Sequence, residues 1–186
     1  TISLGNIKGE LGGIYQEKNT NTILCAVKVL AESGINISEA NIKEGIGHVS
    51  ELTGLQGRWQ KIMDAPKVVC DTGHNVGGWK YISKQLNMQQ CRKMRIVFGM
   101  VDDKDIQTVM SLLPQKAIYY FTHANTKRAI DENKIKEISE SLNLEATCYP
   151  DVATAYNKAL AEADKDDFIF VGGSSYIVAD FLNDCL

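Results

Sequence analysis

Three clusters of polar and glycine residues, each following a short apolar run, are the segments of this sequence best suited to chemistry. The first cluster is Asp71-Thr72-Gly73-His74-Asn75, directly after the run KVVC. It places an acid, an imidazole and an amide where a helix is about to begin, and the exposed backbone N–H groups of a helix start favour anions. From spacing alone, a plainer alternative stays open, in which Asn75 only caps the helix and His74 is an exposed turn residue.

The second and third clusters follow the apolar runs RIVF and FIFV. The second reads GMVDDKD over 99–105, and its aspartates are typical of a helix N-cap, the interpretation that physical reasoning alone favours. The third reads GGSSY over 172–176. Its two glycines let the backbone approach a ligand closely, and Ser174 can either cap the following helix or bind a carboxylate.

Several common signatures are absent from the sequence. It contains no G-x-x-x-x-G-K-[ST] phosphate loop, no G-x-G-x-x-G after a strand and no G-x-S-x-G elbow. The five cysteines form no C-x-x-C pair, and the three histidines do not cluster, so we predict no metal site in this chain. We therefore expect the thiols to be reduced and the protein to be cytoplasmic.

From about Gly57 onward, short apolar runs alternate with helical patterns, and this alternation predicts the fold. Runs rich in Val, Ile, Phe and Tyr occur at 67–70, 95–98, 117–121 and 168–171, with a weaker one at 145–149. Buried strands that alternate with helices indicate an α/β fold with a mostly parallel sheet and helices on both faces. In such sheets the ligand site lies beyond the carboxyl ends of the strands, where all three clusters are expected.

Residues 1–56 show a different pattern. An apolar stripe at helical spacing runs from Ile23 to Leu30 and is stopped by Gly34, and Ser38 is placed to cap a second helix that carries Ile42, Ile46 and Val49 on one face. Two helices make a poor core by themselves. We therefore expect this segment to pack against something else.

Composition excludes two classes of partner. The net charge of −3 is mixed along the 186 residues, and no apolar run approaches the length of a membrane span. We therefore expect no nucleic-acid partner and no membrane partner, and the first residues do not form a signal peptide. Anionic small ligands remain compatible with this charge, because a few local groups suffice to hold them.

Four segments together resemble the Mur ligase superfamily. The run GRWQKIM…KVVCDTGHN resembles its P-G-R…D-G-A-H-N segment, and GMVDDKD resembles the G-x-x-x-D-K-D segment of folylpolyglutamate and dihydrofolate synthases. LGGIYQEKNTNTILCAVKVL resembles their Y-Q-x-x-N helix, and VGGSSYIVADF resembles their G-S-L-Y terminal helix. Each motif is weak alone, but the four occur in the family's order across nearly the whole chain.

The resemblance implies the C-terminal part of an ATP-dependent ligase that joins L-glutamate to folate or dihydropteroate through an acyl phosphate. Residues 1–56 would be the helical end of the central ATPase domain, and 57–186 the Rossmann-like C-terminal domain. ATP and Mg²⁺ are the implied cofactors, and the magnesium ligands are expected in the missing N-terminal ATPase domain, the implied partner. Without a phosphate loop, the isolated chain is expected to be inactive.

The resemblance also implies roles for single residues. Asn19 matches an asparagine that contacts ATP, Arg58 the linker arginine that reaches nucleotide phosphates, and Asp71 a nucleotide-contacting aspartate. His74 matches a histidine near the transfer site, and Ser174 a serine near the glutamate site. The signature residues Lys104 and Asp105 receive no atomic role.

The sequence departs from the family pattern at Gln56-Gly57, where the family has proline before its arginine, and in parts of the D-G-A-H-N-P and G-S-L-Y segments. None of these departures removes a polar group assigned above. Two alternatives stay open: the C-terminal domain of a cell-wall Mur ligase, and a non-catalytic nucleotide-binding module. The order of glutamate addition and the folate pocket are not predicted.

Overall fold

The computed structural model describes residues 7–101, 105–130 and 132–186. The chain divides into two compact units, Thr1–Arg58 and Trp59–Leu186. No described helix is long and apolar enough to cross a membrane.

The first unit is helical over its described residues. Helix α1 spans Gln16–Glu32, α2 spans Glu39–Gly47 and α3 spans Val49–Thr53. The predicted cap of α2 is confirmed, because the Ser38 hydroxyl accepts a hydrogen bond from the Asn41 backbone N–H at 3.1 Å. The prediction that Val49 lies on this second helix is wrong: α2 ends at Gly47, His48 leaves helical geometry, and Val49 begins α3.

The predicted apolar stripe of α1 forms, but it is not buried within the described chain. No side chain of α1 counts as buried, and Ile23 and Leu30 are 49% and 43% exposed. Apolar side chains at helical spacing normally cover a core, since their burial drives most of the packing of a helix. This face therefore has little covering in the described structure.

The second unit is built on one six-stranded sheet with the order β1-β2-β6-β3-β4-β5. All strand pairs are parallel except the edge pair of β1 and β2. The strands are β1 Gln60–Asp64, β2 Lys67–Asp71, β3 Met94–Phe98, β4 Ala117–Phe121, β5 Glu145–Cys148 and β6 Phe168–Gly172. The five predicted strands are present, and β1 is an additional edge strand that the sequence pattern did not reveal.

Five helices cover the two faces of the sheet: α4 Val76–Asn87, α5 Ile106–Ser111, α6 Glu132–Ser141, α7 Val152–Ala161 and α8 Ser175–Asp184. Successive strand residues point to opposite faces, so Val69 packs with Trp79 of α4 while Val68 packs in the separate cluster that holds Tyr156 of α7. Helices α4, α5 and α6 cover the first face, and α7 and α8 cover the second. The predicted parallel sheet with helices on both faces is confirmed.

A buried charge network lies at the amino ends of β3 and β6. The Asp167 carboxylate accepts hydrogen bonds from Arg92 Nε at 3.0 Å and from Arg95 Nε at 3.2 Å. Arg95, only 3% exposed, also donates to the Tyr120 hydroxyl and to the backbone oxygen of Glu162. Buried charges of this kind need full pairing. The network lies at the amino edge of the sheet, and the three polar clusters follow the carboxyl ends of the strands at the opposite edge.

Candidate functional site

The three polar clusters follow three neighbouring strands. In the register of the sheet, Asp71 of β2 pairs with Gly172 of β6, which in turn pairs with Phe98 of β3. The strands thus end in one row, and the segments 71–75, 99–101 and 172–176 leave the sheet side by side. This is the carboxyl edge, where ligands bind in sheets of this type.

The first cluster forms a tight turn into helix α4. The Asn75 side-chain oxygen accepts from the Gly78 backbone N–H at 2.9 Å, so Asn75 is the helix cap. His74 is exposed, and its Nδ1 lies 3.1 Å from the backbone oxygen of Thr72. Because a carbonyl oxygen only accepts, this contact requires the proton on Nδ1. A neutral His74 ring therefore carries its lone pair on Nε2.

The Asp71 carboxylate is enclosed and bonded to backbone. Asp71 is only 1% exposed. Its Oδ2 accepts from the Trp59 backbone N–H at 2.8 Å, and its Oδ1 accepts from the Gly73 backbone N–H at 2.8 Å. The direct contact with nucleotide expected for Asp71 stays a prediction. The backbone amides of Trp59 and Gly73 thus bind the carboxylate through its two oxygens.

Ser174 occupies the start of α8. Its side-chain oxygen accepts from the Ile177 backbone N–H at 3.2 Å, and the residue is 1% exposed. The preceding Gly173 has φ +108°, and a Cβ atom there would lie 2.3 Å from the Gly99 carbonyl oxygen, so only glycine fits. The helix-cap alternative for Ser174 is therefore present in the structure, and a contact with substrate stays a prediction.

The second cluster is only partly described. Lys104, with the two aspartates before it, lies outside the described residues. Asp105 caps α5, because its side chain accepts from the Thr108 backbone N–H at 3.1 Å. The hydrogen bonds from Thr108 lower the pKa of the Asp105 carboxyl below its usual value. Asp105 thus has a structural task, as the spacing of the aspartates suggested.

The remaining predicted residues, Asn19 and Arg58, belong to the first unit. Asn19 is an exposed residue of α1, and its side-chain amide donates to Gln16 Oε1 at 2.9 Å. Arg58 is half-buried and is the last residue of its unit. The structure therefore brings together Asp71, His74 and Ser174, all in the second unit. The described residues contain no group of three or more His, Cys, Asp or Glu side chains that could hold a metal ion.

A fourth segment, after β4, reaches this edge and was not singled out from the sequence. The Ile130 backbone N–H donates to the Met100 carbonyl at 3.2 Å, which joins the segment to the second cluster. Arg128 Nη1 lies 3.5 Å from the Tyr176 hydroxyl in the third cluster. Ligands in such sheets bind beyond the carboxyl ends of the strands, so the segment after β4 was an expected place for site residues. No sequence motif, however, identified Arg128. The structure adds a guanidinium group to the edge.

Comparison with known proteins agrees with this architecture. The model of the family described as Mur ligase, glutamate ligase domain, matches residues 57–175. The dihydrofolate synthase/folylpolyglutamate synthase of Buchnera aphidicola subsp. Schizaphis graminum is 28% identical over 88% of this chain and 38% of its own length. The chain therefore spans about two fifths of that relative.

Solved structures give the same picture. The ligand-free bifunctional folylpolyglutamate synthase/dihydrofolate synthase of Yersinia pestis aligns with a TM-score of 0.71 and 30% identity, covering 84% of this chain and 37% of that one. A bifunctional synthase with Mn, AMPPNP and L-glutamate bound aligns with a TM-score of 0.71 and 28% identity, covering 87% of this chain and 38% of that one. Because the family model covers well over half of the residues, this chain belongs to the Mur ligase family and carries its glutamate ligase domain.

Proposed function

We propose that this chain is the C-terminal part of an ATP-dependent ligase that adds L-glutamate to folates, either as a folylpolyglutamate synthase or as a bifunctional folylpolyglutamate and dihydrofolate synthase. The observation that carries the proposal is the row of three strand ends, which sets the D-x-G-H-N, G-M-V and G-G-S-S-Y segments side by side. Relatives with these names match most of the chain.

The reaction would proceed in two steps. ATP phosphorylates a carboxylate of the folate, and the amine of glutamate then attacks the acyl phosphate and expels phosphate. Such a reaction depends mainly on positioning and on charge stabilisation. His74, with its proton on Nδ1, offers Nε2 to accept a proton from the attacking amine. Ser174 is proposed to stand near the glutamate, where the start of α8 favours a carboxylate.

Three residues of the chain are proposed to contact the nucleotide. Arg58 is proposed to contact phosphate, because a guanidinium is permanently charged and forked. Asn19 is proposed to contact ATP, and Asp71 belongs to the same set through its place at the strand end. Mg²⁺ ligands and the phosphate loop are proposed to lie in the part of the ligase outside this chain, since the sequence has no such loop.

The first unit supports the same proposal. Helix α1 exposes apolar residues, among them Ile23 at 49% and Val29 at 60%. Exposed apolar residues of this kind are typical of a surface that packs against another part of a protein. We propose that residues 1–56 are the end of the central ATPase domain and that 57–186 form the C-terminal domain. We place the ligase in the cytoplasm, where ATP, glutamate and folates are its partners.

An acceptor assay tests the proposal. A protein in which this chain is joined to its ATPase domain is incubated with ATP, radiolabelled L-glutamate and either a folate or a UDP-linked peptide. We expect labelled product and ADP with the folate only. Labelled product with the peptide would identify a cell-wall ligase instead, and nucleotide binding without any product would identify a binding module. The 186-residue chain alone is the matched control, and we expect it to release no phosphate.

A further inference from the structure

The side chain of Asp71 joins two backbone segments that are distant in sequence. One carboxylate oxygen accepts from the N–H of Trp59, which directly follows Arg58 in the chain. The other oxygen accepts from the N–H of Gly73, which directly precedes His74. Both distances are 2.8 Å, which is short for an N–H donor and fits a charged acceptor. A single buried group thus binds both backbones at the candidate site.

The Trp59 end of this connection is held in an unusual conformation. Trp59 has φ +49°, a left-handed value that a bulky side chain rarely adopts. Its ring packs against Phe168 and Phe170, with centroids 6.4 and 5.7 Å away. A residue remains in such a conformation only when its surroundings fix it. The bond to Asp71 and the ring packing supply that restraint.

The Gly73 end is fixed from two sides. Its N–H donates to Asp71, and its carbonyl oxygen accepts from Trp79 Nε1 at 3.1 Å. A Cβ atom at Gly73 would lie 2.1 Å from Ile82 Cδ1, so the turn packs directly on α4. Because Trp79 and Ile82 are buried, the turn that leads to His74 is attached to the hydrophobic core of the unit.

We propose that Asp71 is a positioning residue for glutamate transfer: its carboxylate ties the backbone after Arg58 to the turn before His74. The catalytic part of this inference rests on the proposed function. Each oxygen of an ionised carboxylate has more than one acceptor site, so the bonds to Trp59 and Gly73 can stay in place while a ligand is bound. In this role Asp71 acts through the two segments that it joins, and the nucleotide contact implied by resemblance stays a separate prediction.

The structural half of the proposal is tested on the 186-residue chain by amide hydrogen exchange. Asp71→Asn keeps the side-chain volume and one acceptor oxygen, whereas Asp71→Ala removes both. We expect exchange of the Trp59 or the Gly73 amide to accelerate about tenfold in Asp71→Asn, as the loss of one such bond implies, and exchange of both to accelerate in Asp71→Ala. Unchanged exchange at both amides in the folded variants would overturn the proposal.

The control is a carboxylate with a comparable bond elsewhere. Asp151 caps α7 and accepts from the Thr154 backbone N–H at 2.7 Å, at an exposed position. Asp151→Ala should leave the exchange of the Trp59 and Gly73 amides unchanged. If it accelerates them as much as the Asp71 variants do, general destabilisation explains the result and the proposal is overturned.

The catalytic half is tested in the complete ligase with ATP, 2′-deoxy-ATP and 3′-deoxy-ATP. A positioning role predicts that Asp71→Asn lowers kcat about 10- to 100-fold with all three nucleotides, so that discrimination between them stays as in the wild type. A ribose contact without a positioning role predicts that this discrimination collapses while kcat with ATP changes little. The second result would overturn the proposal.

Coupling to His74 separates the proposal from a general loss of structure. Because Asp71 acts partly through the turn that carries His74, the Asp71→Asn/His74→Ala double variant should lose less kcat than the product of the two single losses. Independent losses would overturn the role assigned to this turn. If the wild-type complete ligase forms no glutamate product, the proposed function fails, and the amide-exchange result still decides the structural connection.

Discussion

Asp167 offers the sharpest test of how the sheet is held together. Its side chain is fully buried, whereas the side chain of Asp164, which pairs with the same Arg92, is 67% exposed. Asp167→Ala and Asp164→Ala therefore remove the same functional group from the same arginine in two environments. Only the first takes from a buried guanidinium, that of Arg95, one of its two carboxylate partners.

The expected magnitudes follow from this difference. Removal of one partner of a buried ion pair costs about 3–5 kcal/mol of unfolding free energy, whereas an exposed pair contributes about 0–1 kcal/mol. Arg95 keeps its bonds to Tyr120 and Glu162, so we place Asp167→Ala at the lower end, about 3 kcal/mol. With a urea dependence of about 2 kcal/mol per molar, the midpoint should fall by about 1–2 M.

Urea denaturation followed by tryptophan fluorescence measures this loss, because both tryptophans, Trp59 and Trp79, lie in the second unit. Burial raises the pKa of the Asp167 carboxyl, but the hydrogen bonds from the Asp164 backbone, Arg92 and Arg95 outweigh it and leave the pKa below its ordinary 3.8. A depressed pKa stabilises the fold above pH 3.8, and this contribution disappears as the pH falls through the folded-state pKa. Equal losses for Asp167→Ala and Asp164→Ala near neutral pH would refute the assignment of a buried network.

Three further predictions concern the carboxyl edge. In the complete ligase, His74→Ala should lower turnover with less than about 0.5 kcal/mol lost in stability, whereas Asn75→Ala, which removes a helix cap, should cost about 0.5–2 kcal/mol with a smaller change in rate; equal behaviour of the two in kinetics and calorimetry would contradict these roles. Burial, aided by the charge of the adjacent aspartate, raises the pKa of Cys70 to about 12, so iodoacetamide at pH 8 should label the exposed Cys25 and spare Cys70, as mapped by mass spectrometry. Gly173→Ala places a Cβ atom at φ +108° and should cost about 1–3 kcal/mol from backbone strain alone in urea denaturation, and an unchanged midpoint would show that the turn adapts.

The fold was largely predictable because its buried strands read as continuous apolar runs. Strands β2, β3, β4 and β6 are buried at nearly every position, so their residues carry the pattern of a sheet covered on both faces. Strand β1 was not predicted because its sequence, QKIMD, is polar at both ends and partly exposed, which is typical of an edge strand. Its position is set by pairing with β2, which no local pattern reports.

The candidate site was predictable where a side chain acts locally. The caps formed by Ser38, Asn75 and Ser174 depend on backbone N–H groups three residues away, and each was predicted from the sequence as a helix start. The partners of Asp71 were not visible, because a carboxylate bound to the backbone N–H of Trp59 leaves no mark on the residue type at that position. The pairing of Arg95 with Asp167 spans 72 residues and depends on strand order.

The most direct test of the central claim follows the oxygen of the activated carboxylate. The complete ligase that contains this chain is given ATP, L-glutamate and a folate whose acceptor carboxylate is labelled with ¹⁸O. Formation of an acyl phosphate predicts equal amounts of ADP, glutamylated folate and inorganic phosphate that carries one ¹⁸O atom from the folate. Glutamylated product accompanied by unlabelled phosphate, or ADP release without any glutamylated folate, would contradict the account.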